Sequence, residues 1–235
     1  MSAWKAKRFW KESTVEACDG GFAVKLDGRG VKTPAKTPLV VPTEALARMI
    51  AAEWDAQDGA VRPETMPATR MANSALDKVA PQFDAVAAML AEYGGTDLLC
   101  YRAPEPEALI ARQAAAWDPL LDWAAETFGA RLATGQGVMH LAQDADAVAR
   151  LARPLSDASA FQLAALHDLI AISGSLVLAL AVARGRLGAA EAFDLSRIDE
   201  SWQAEQWGRD EEADALEAVR RTDLAFAAQF LAACR

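Results

Sequence analysis

The sequence predicts a small α+β domain, an antiparallel sheet with one helix, followed by a larger all-α domain, and places the domains at 1–62 and 63–235. Two observations carry this prediction. Short β-type segments separated by Gly and Pro turns fill the first forty residues, and helical periodicity takes over beyond Gly59, where Pro63 and Pro67 mark a connector. The length of 235 residues, with 52% apolar and 24% charged residues, is typical of a folded protein with an ample core.

Short segments of the amino-terminal region have the composition of strands. They are Arg8-Phe9-Trp10, Thr14 to Cys18, Phe22 to Leu26, Val31 to Thr33 and Leu39 to Val41. Asp19-Gly20 and Asp27-Gly28 lie between three of them, and Asp-Gly pairs favour turns with positive φ, so hairpins are predicted. Thr43 is the expected N-cap of the helix that covers this sheet. Its apolar face is formed by Leu46, Met49, Ile50 and Trp54.

The rest of the chain is predicted to be helical. A helix over 72–93 should bend or break at Pro81, because proline lacks an amide proton. Further helices are expected at 106–128, 142–152, 156–172, 175–186, 188–206 and 210–232, with a loop or hairpin at 130–141. The longest nearly apolar run, Leu169 to Ala183, is shorter than the ~20 residues of a membrane span. It therefore indicates a buried helix pair or bent helix, and no membrane insertion is expected.

Charge and cysteine content narrow the function classes. The net charge is −9, although residues 1–40 hold eight Lys or Arg against four Asp or Glu. A chain this acidic is expected to bind nucleic acid poorly, because most of the affinity for nucleic acid comes from neutralising its phosphates. The basic amino-terminal region could still bind an acidic partner. The three scattered cysteines indicate free thiols. Residues 1–5 hold no apolar secretory segment, so a cytoplasmic location is expected.

Groups that perform catalysis are scarce. His140 and His167 are the two histidines of the sequence and do not have metal-ligand spacing, so no metal site is expected. Gly28-Arg29-Gly30 lacks the third glycine of a dinucleotide fingerprint, and no P-loop occurs. The carboxylate pairs Asp199-Glu200 and Glu211-Glu212 leave one alternative open, a helical enzyme that uses such a pair in an interdomain cleft. The side chains of adjacent residues point in different directions on a helix, so these pairs are more typical of a solvent-exposed surface than of a catalytic site.

The segment from Ile198 to Glu217 is the main functional candidate, because it places two tryptophans among many acids. Trp202 and Trp207 lie on different flanks of a predicted helix, and an indole is costly to expose on a surface without a partner. The alternative is a solvated acidic helix whose tryptophans anchor the core. As partner-binding residues we predict Asp199, Glu200, Glu205, Trp207 and Glu212.

An ordered series of strings along the chain resembles one protein family. The strings are Lys7-Arg8-Phe9-Trp10-Lys11, Leu26-Asp27-Gly28-Arg29, Glu53-Trp54-Asp55-Ala56-Gln57, Met66 to Asn73, Thr96 to Ala103, Trp117 to Leu121, Asp199-Glu200 and Trp207-Gly208. The octet Thr-Asp-Leu-Leu-Cys-Tyr-Arg-Ala and the order of the series are the specific part. In these strings the chain resembles the assembly chaperones that hold the α subunit of the ATP synthase F1 sector in mitochondria and α-proteobacteria.

The resemblance implies an α+β domain followed by a helical domain, without enzymatic activity or a cofactor. It also implies that the partner is the α subunit of F1, which the chain would hold until the β subunit replaces it. It also implies a bacterial member in the cytoplasm, equivalent to the mitochondrial matrix proteins, and we expect a monomer. The matched tryptophans Trp54, Trp117 and Trp123 are predicted to pack in the core or between domains. Arg70 and Arg102 stay open between partner contact and ion pairs with Asp77, Asp97 or Asp118.

Overall fold

The computed structural model describes residues 7–235. Residues 1–5, on which the prediction about export depends, lie outside this range. Contacts divide the described chain into two compact units, one formed by 7–83, 159–165 and 229–235, the other by 84–158 and 166–228. The predicted fold class is confirmed, with a small antiparallel sheet and helix preceding a larger helical region. The domain boundary between 62 and 63 stays a prediction.

The sheet of the first unit contains four strands in the described part of the chain. They are β1 Ser13–Cys18, β2 Gly21–Leu26, β3 Arg29–Gly30 and β4 Val40–Val41. Strand β2 pairs antiparallel with each of the others. Asp27 and Gly28 form the β2–β3 turn with φ of 48° and 77°, as predicted for an Asp-Gly pair. The Asp27 carboxylate accepts the amide protons of Glu12 and Lys11, which lowers its pKa.

Two predicted strands, 8–10 and 31–33, do not form strands. Lys7 makes one isolated bridge to Ala60, and Lys32 makes one to Pro38. In the first segment the Arg8 guanidinium donates to the carbonyls of Asp55 and Gln57, at 2.7 Å each. These bonds hold the backbone against the end of the following helix, so an apolar, β-type composition does not lead to sheet pairing there.

Helix α1, Glu44–Asp55, covers the sheet as predicted. Thr43 caps it, its hydroxyl accepting the amide proton of Leu46 at 3.2 Å. Ser13 of β1 donates its hydroxyl proton to the carbonyl of Ala51 at 2.8 Å. Near the end of α1, half-buried Trp54 packs edge-on against buried Trp10, with ring centroids 5.2 Å apart. The predicted packing role of Trp54 is thereby confirmed within its own unit.

Most of the remaining helices lie close to their predicted positions. They are α2 Pro67–Ser74, α3 Phe83–Ala91, α4 Glu107–Phe128, α5 Ala145–Ser156, α6 Ala160–Ser173, α7 Leu176–Ala183, α8 Ala189–Ser196, α9 Ile198–Trp207 and α10 Glu211–Ala233. Around Pro81 the geometry becomes π-helical at Ala75–Val79 and then 3-10 at Ala80–Gln82. Over residues 7–235, no helix combines the length and apolar character needed to cross a bilayer.

One helix differs from the prediction. The helix expected over 188–206 is two helices, because Arg197 leaves helical geometry with φ −116° and ψ 19°. The apolar run 169–183 is a helix pair, as predicted, and it is interrupted at Gly174, whose φ is 69°. The segment 130–141 is mainly loop, and its short strand β6, Gly135–Gln136, pairs in parallel with β5, Tyr101–Arg102, so it forms no hairpin.

A buried carboxylate lies at the start of α7 in the second unit. Asp97 is fully buried, and its Oδ1 accepts protons from the Leu99 amide at 3.0 Å and the Ser175 hydroxyl at 2.7 Å. Its Oδ2 accepts the Val177 amide proton at 3.0 Å. Burial raises the pKa of Asp97 from 3.8 to about 6, although these hydrogen bonds oppose the shift. Asp97 therefore fixes the octet segment to the amino-terminal end of α7.

Arg102, left open by the sequence, lies inside the fold. It is 9% exposed and donates to Asp118 at 2.7 Å and to the Leu99 carbonyl at 3.0 Å. Its guanidinium lies 5.3 Å from the ring centroid of buried Trp117. Arg70, by contrast, is exposed on α2, and no ion pair to it occurs within residues 7–235. Arg102 is therefore structural, whereas Arg70 is accessible.

Candidate partner-binding surface

Helix α9 carries most of the predicted partner-binding residues and packs on α4 within the second unit. Its first residue, Ile198, is buried. The next, Asp199, is half-buried and accepts a proton from Gln113 Nε2 of α4 at 2.6 Å. Gln113 is itself fully buried, and its Oε1 accepts the amide proton of Ala103 at 2.8 Å. This chain of bonds fixes Asp199 to α4, so one side of its carboxylate is already occupied.

Glu205, one helical turn and a half further along α9, is also bound to α4. Arg112 donates to both carboxylate oxygens of Glu205 at 2.8 to 2.9 Å. These hydrogen bonds lower the pKa of Glu205 and raise that of Arg112. The Arg112 guanidinium also lies 6.0 Å from the Trp202 ring centroid. Glu205 is therefore exposed to solvent and also ion-paired with Arg112, and this ion pair helps to hold α9 on α4.

The two remaining acidic candidates are exposed, and one of them is ion-paired. Glu200 accepts a proton from Arg197 at 2.5 Å. Glu212 lies in the first turn of α10, next to Glu211 and close to Asp214. No ion pair to Glu212 occurs in the described residues 7–235. A negative charge in the first turn of a helix is stabilised by the helix dipole, so Glu212 combines a structural role with availability to a partner.

Trp207 differs from the other tryptophans by its exposure. It is the last residue of α9 and is 78% exposed, whereas Trp202 is half-buried beside Arg112. Gly208, with φ of 94°, ends the helix directly after it. The hypothesis that one indole of the segment reaches outward is thus met by Trp207. An indole presented at a helix end offers a large apolar contact area with few rotatable bonds.

A groove of about 600 Å³ runs beside Trp207, and we call it the Trp207 groove. Its apolar lining is provided by Ala103, Pro106, Leu109, Trp202 and Trp207. The acids Glu105 and Asp199 and the amides Gln203 and Gln206 complete it. A second cavity of about 530 Å³ lies on the opposite flank of α9 and includes Arg112, Glu205 and Arg209. Helix α9 is therefore accessible from both sides.

The structure brings some of the predicted residues together and separates others. Asp199 and Trp207 line the Trp207 groove, and Glu205 lines the opposite cavity. Glu200 and Glu212 line neither of these two cavities. The sequence did not identify Glu105, Pro106 and Leu109 as part of the surface. Their only signal was their position shortly after the Thr96 to Ala103 octet, where Glu105 and Pro106 lead into α4 and Leu109 lies in its first turn.

The predicted carboxylate pair Asp199-Glu200 lacks the arrangement of an acid–base pair. Asp199 is bound by Gln113 and Glu200 by Arg197, so the two carboxylates have different environments and different partners. In the part of the chain that the structure describes, no cluster of three or more His, Cys, Asp or Glu side chains is placed to hold a metal ion. The described surface thus offers contact area and negative charge.

Comparisons with known proteins identify relatives over the whole chain. Residues 7–125 match the family model of the ATP12 chaperone protein. The crystal structure of Atp12 from Paracoccus denitrificans is 52% identical, covers 99% of this chain and 100% of its own, and superposes with a TM-score of 0.96. A protein of Agrobacterium tumefaciens is 46% identical, covering 97% and 86%, with a TM-score of 0.93. The mitochondrial protein atp12 of Schizosaccharomyces pombe is 27% identical over 225 residues, 90% of this chain and 77% of the relative.

Proposed function

Because this chain belongs to the ATP12 chaperone family, we propose that it holds the unassembled α subunit of the F1 sector of ATP synthase until the β subunit replaces it. Family membership supports the broader role of an ATP synthase assembly chaperone. The α subunit as the specific client is our proposal. It rests on the ordered strings of the sequence, which resemble chaperones of that subunit.

The single observation that best supports a client-binding role is the exposure of Trp207. A tryptophan that is 78% exposed beside an apolar groove resembles the anchors that dominate protein interfaces. An unassembled subunit exposes surface meant for its neighbours, and such surface aggregates unless it is covered. A chaperone must cover it reversibly. One aromatic anchor surrounded by polar residues suits reversible binding, since rim charges influence mainly association rate and specificity.

The proposed contact surface comprises α9 and the first turn of α10, with Asp199, Glu200, Glu205, Trp207 and Glu212. Asp199 and Glu205 are bound to α4, so they contribute a fixed negative potential. Glu200 is exposed but paired with Arg197, and Glu212 is exposed with no ion pair among residues 7–235, so Glu212 responds most freely to a client's charge. We further propose that the protein acts without catalysis in a bacterial cytoplasm, since solved structures similar to it come from the bacteria Paracoccus denitrificans and Agrobacterium tumefaciens.

Replacing Trp207 by alanine is expected to weaken binding of the purified α subunit at least ten-fold. The substitution removes an anchor worth about 1.4 kcal/mol or more, as is typical of buried interface tryptophans. Biolayer interferometry with immobilised α subunit measures the change. Phe9→Ala is the matched control, because Phe9 is also an aromatic residue that is 67% exposed, and it lies in the other unit.

Failure of the unmodified chain to bind the α subunit contradicts the proposed client. If Trp207→Ala binds the α subunit as tightly as the unmodified chain does, the proposed surface is contradicted, but the proposed client is not.

Reversing the two accessible acids, Glu200→Lys with Glu212→Lys, is expected to lower the association rate for the α subunit several-fold. The effect should shrink in high salt, because exposed charges act mainly through long-range, screened attraction. Stopped-flow measurements at low and high ionic strength test it. Asp84→Lys with Glu126→Lys introduces the same charge change at exposed positions of the same unit and should leave the rate closer to that of the unmodified chain.

A further inference from the structure

We propose that the Trp207 groove binds a client segment in which an arginine is flanked by an apolar residue, with the guanidinium stacked on the Trp207 indole and paired with Glu105 and Asp199. This inference rests on the proposed function, since it specifies the kind of α-subunit segment that the surface takes. Four features of the groove support it.

The first feature is the combination of an apolar lining with negative charge. Pro106, Leu109 and Trp202 form an apolar wall, and the groove's charged residues are Glu105 and Asp199. No Lys or Arg is among the described residues that line it. A ligand that fills this groove therefore needs apolar surface and a positive charge together. Arginine and lysine provide both, because their methylene stems cover apolar surface while their ends carry the charge.

The second feature is the free capacity of the two acids. Glu105 is exposed, and within residues 7–235 no ion pair or side-chain hydrogen bond to it occurs. Asp199 accepts a proton from Gln113 through Oδ1 only, and its Oδ2 accepts no described hydrogen bond. One fixed and one accessible carboxylate thus line the groove. Carboxylates are the acceptors that a bidentate donor such as guanidinium prefers, and two of them line this groove.

The third feature is that arginine guanidinium groups lie near several other aromatic rings of this chain, but none lies near Trp207 among the described residues. Guanidinium groups lie 4.5 to 6.0 Å from ring centroids at several rings of the described chain, in the pairs Arg8–Trp10, Arg102–Trp117, Arg112–Trp202, Arg184–Phe128 and Arg221–Phe193. No such cation lies over Trp207 in the described residues. Its indole face is therefore available for a cation from another molecule, and guanidinium stacks on indole better than ammonium does.

The fourth feature is size. A volume of about 600 Å³ exceeds that of one side chain, so a short segment fills the groove rather than a single residue. An apolar neighbour of the arginine would contact Pro106 and Leu109. A nucleotide or other phosphate ligand is disfavoured, because the groove's two charged residues repel it. The geometry thus selects a basic and apolar peptide segment.

The test uses the full chain and a capped pentapeptide, Gly-Leu-Arg-Leu-Gly, as the probe. Indole N–H signals in ¹⁵N-labelled protein report binding, and the Trp207→Phe variant assigns the Trp207 signal. The arginine peptide should shift the signals of Trp207 and Trp202. The same peptide with citrulline, which keeps the shape but lacks the charge, should bind at least ten-fold more weakly, and the lysine peptide should lie between them.

Substitution of the accessible acid completes the test. Glu105→Gln should weaken the arginine peptide several-fold and leave the citrulline peptide unchanged, whereas the exposed control Glu126→Gln should change neither. Equal binding of the arginine and citrulline peptides, or shifts confined to other tryptophans, would overturn the inference. So would unchanged affinity of the α subunit for Glu105→Gln combined with Trp207→Ala. If the unmodified chain fails to bind the α subunit, the proposed function fails, while the peptide result still decides the specificity of the groove.

Discussion

Replacing Asp97 by alanine is expected to lower the free energy of unfolding by about 3 to 5 kcal/mol. The change leaves the amides of Leu99 and Val177 and the hydroxyl of Ser175 without their acceptor in a fully buried site, and each such loss costs about 1 to 3 kcal/mol. Urea denaturation followed by circular dichroism at pH 7 measures the loss. Asp97→Asn retains Oδ1 and should lose about half as much. A loss below ~1 kcal/mol for alanine would contradict this account.

The same carboxyl group makes stability depend on pH. Burial raises the pKa of Asp97 from 3.8 to about 6, so between about pH 4 and pH 6 the folded chain binds more protons than the unfolded chain. Stability contributed by this group is present below pH 4 and is lost as the pH rises through 6, by up to about 3 kcal/mol. The difference in unfolding free energy between the unmodified chain and Asp97→Asn should therefore shrink over that interval and become flat above pH 7. If this difference in unfolding free energy grew from pH 4 to pH 6, the pKa of Asp97 would be lowered by folding and not raised, which would contradict the prediction.

Replacing Trp117 by alanine is expected to cost about 3 to 5 kcal/mol of stability. Trp117 is 1% exposed, so the change opens a large cavity in the second unit. It also removes the hydrogen bond from its indole nitrogen to the Leu195 carbonyl, at 2.9 Å, and the ring on which Arg102 lies. Trp117→Phe, which keeps most of the apolar volume, should cost less. Chemical denaturation followed by circular dichroism avoids the loss of tryptophan fluorescence.

Trp207→Ala is the matched control for this prediction, because it removes the same side chain from an exposed position. It should change stability by less than ~0.5 kcal/mol. Equal destabilisation by the two substitutions would mean that exposure does not separate the structural tryptophan from the contact tryptophan.

Local patterns in the sequence were sufficient for most of the fold. The Asp27-Gly28 turn, the Thr43 cap and the long helices depend on interactions between near neighbours, and these are recorded in residue type and spacing. The strand predicted at 8–10 failed because its backbone is held by Arg8 bonds to residues near 55. The helix break at Arg197 was not predicted, because it contains neither Pro nor Gly and the helical periodicity of the sequence continues across it.

The candidate surface was predictable only in part. Trp207 was recognised because an indole among acids is unusual on a helix. Glu105 belongs to a loop about a hundred residues earlier, and only the folded chain places it beside Trp207. The pairing of Glu205 with Arg112 was equally hidden, because opposite charges 93 positions apart have no signature in one sequence. Asp97 illustrates the same limit, since an isolated acid is normally expected on the surface.

The three hydrogen bonds between Arg112 and Glu205, together with the bond from Gln113 to Asp199, fix the position of α9 on α4 in the unbound chain. Little conformational entropy is then lost on the chaperone side of the encounter. At the surface that we propose, most of the conformational adjustment is therefore expected on the side of the client.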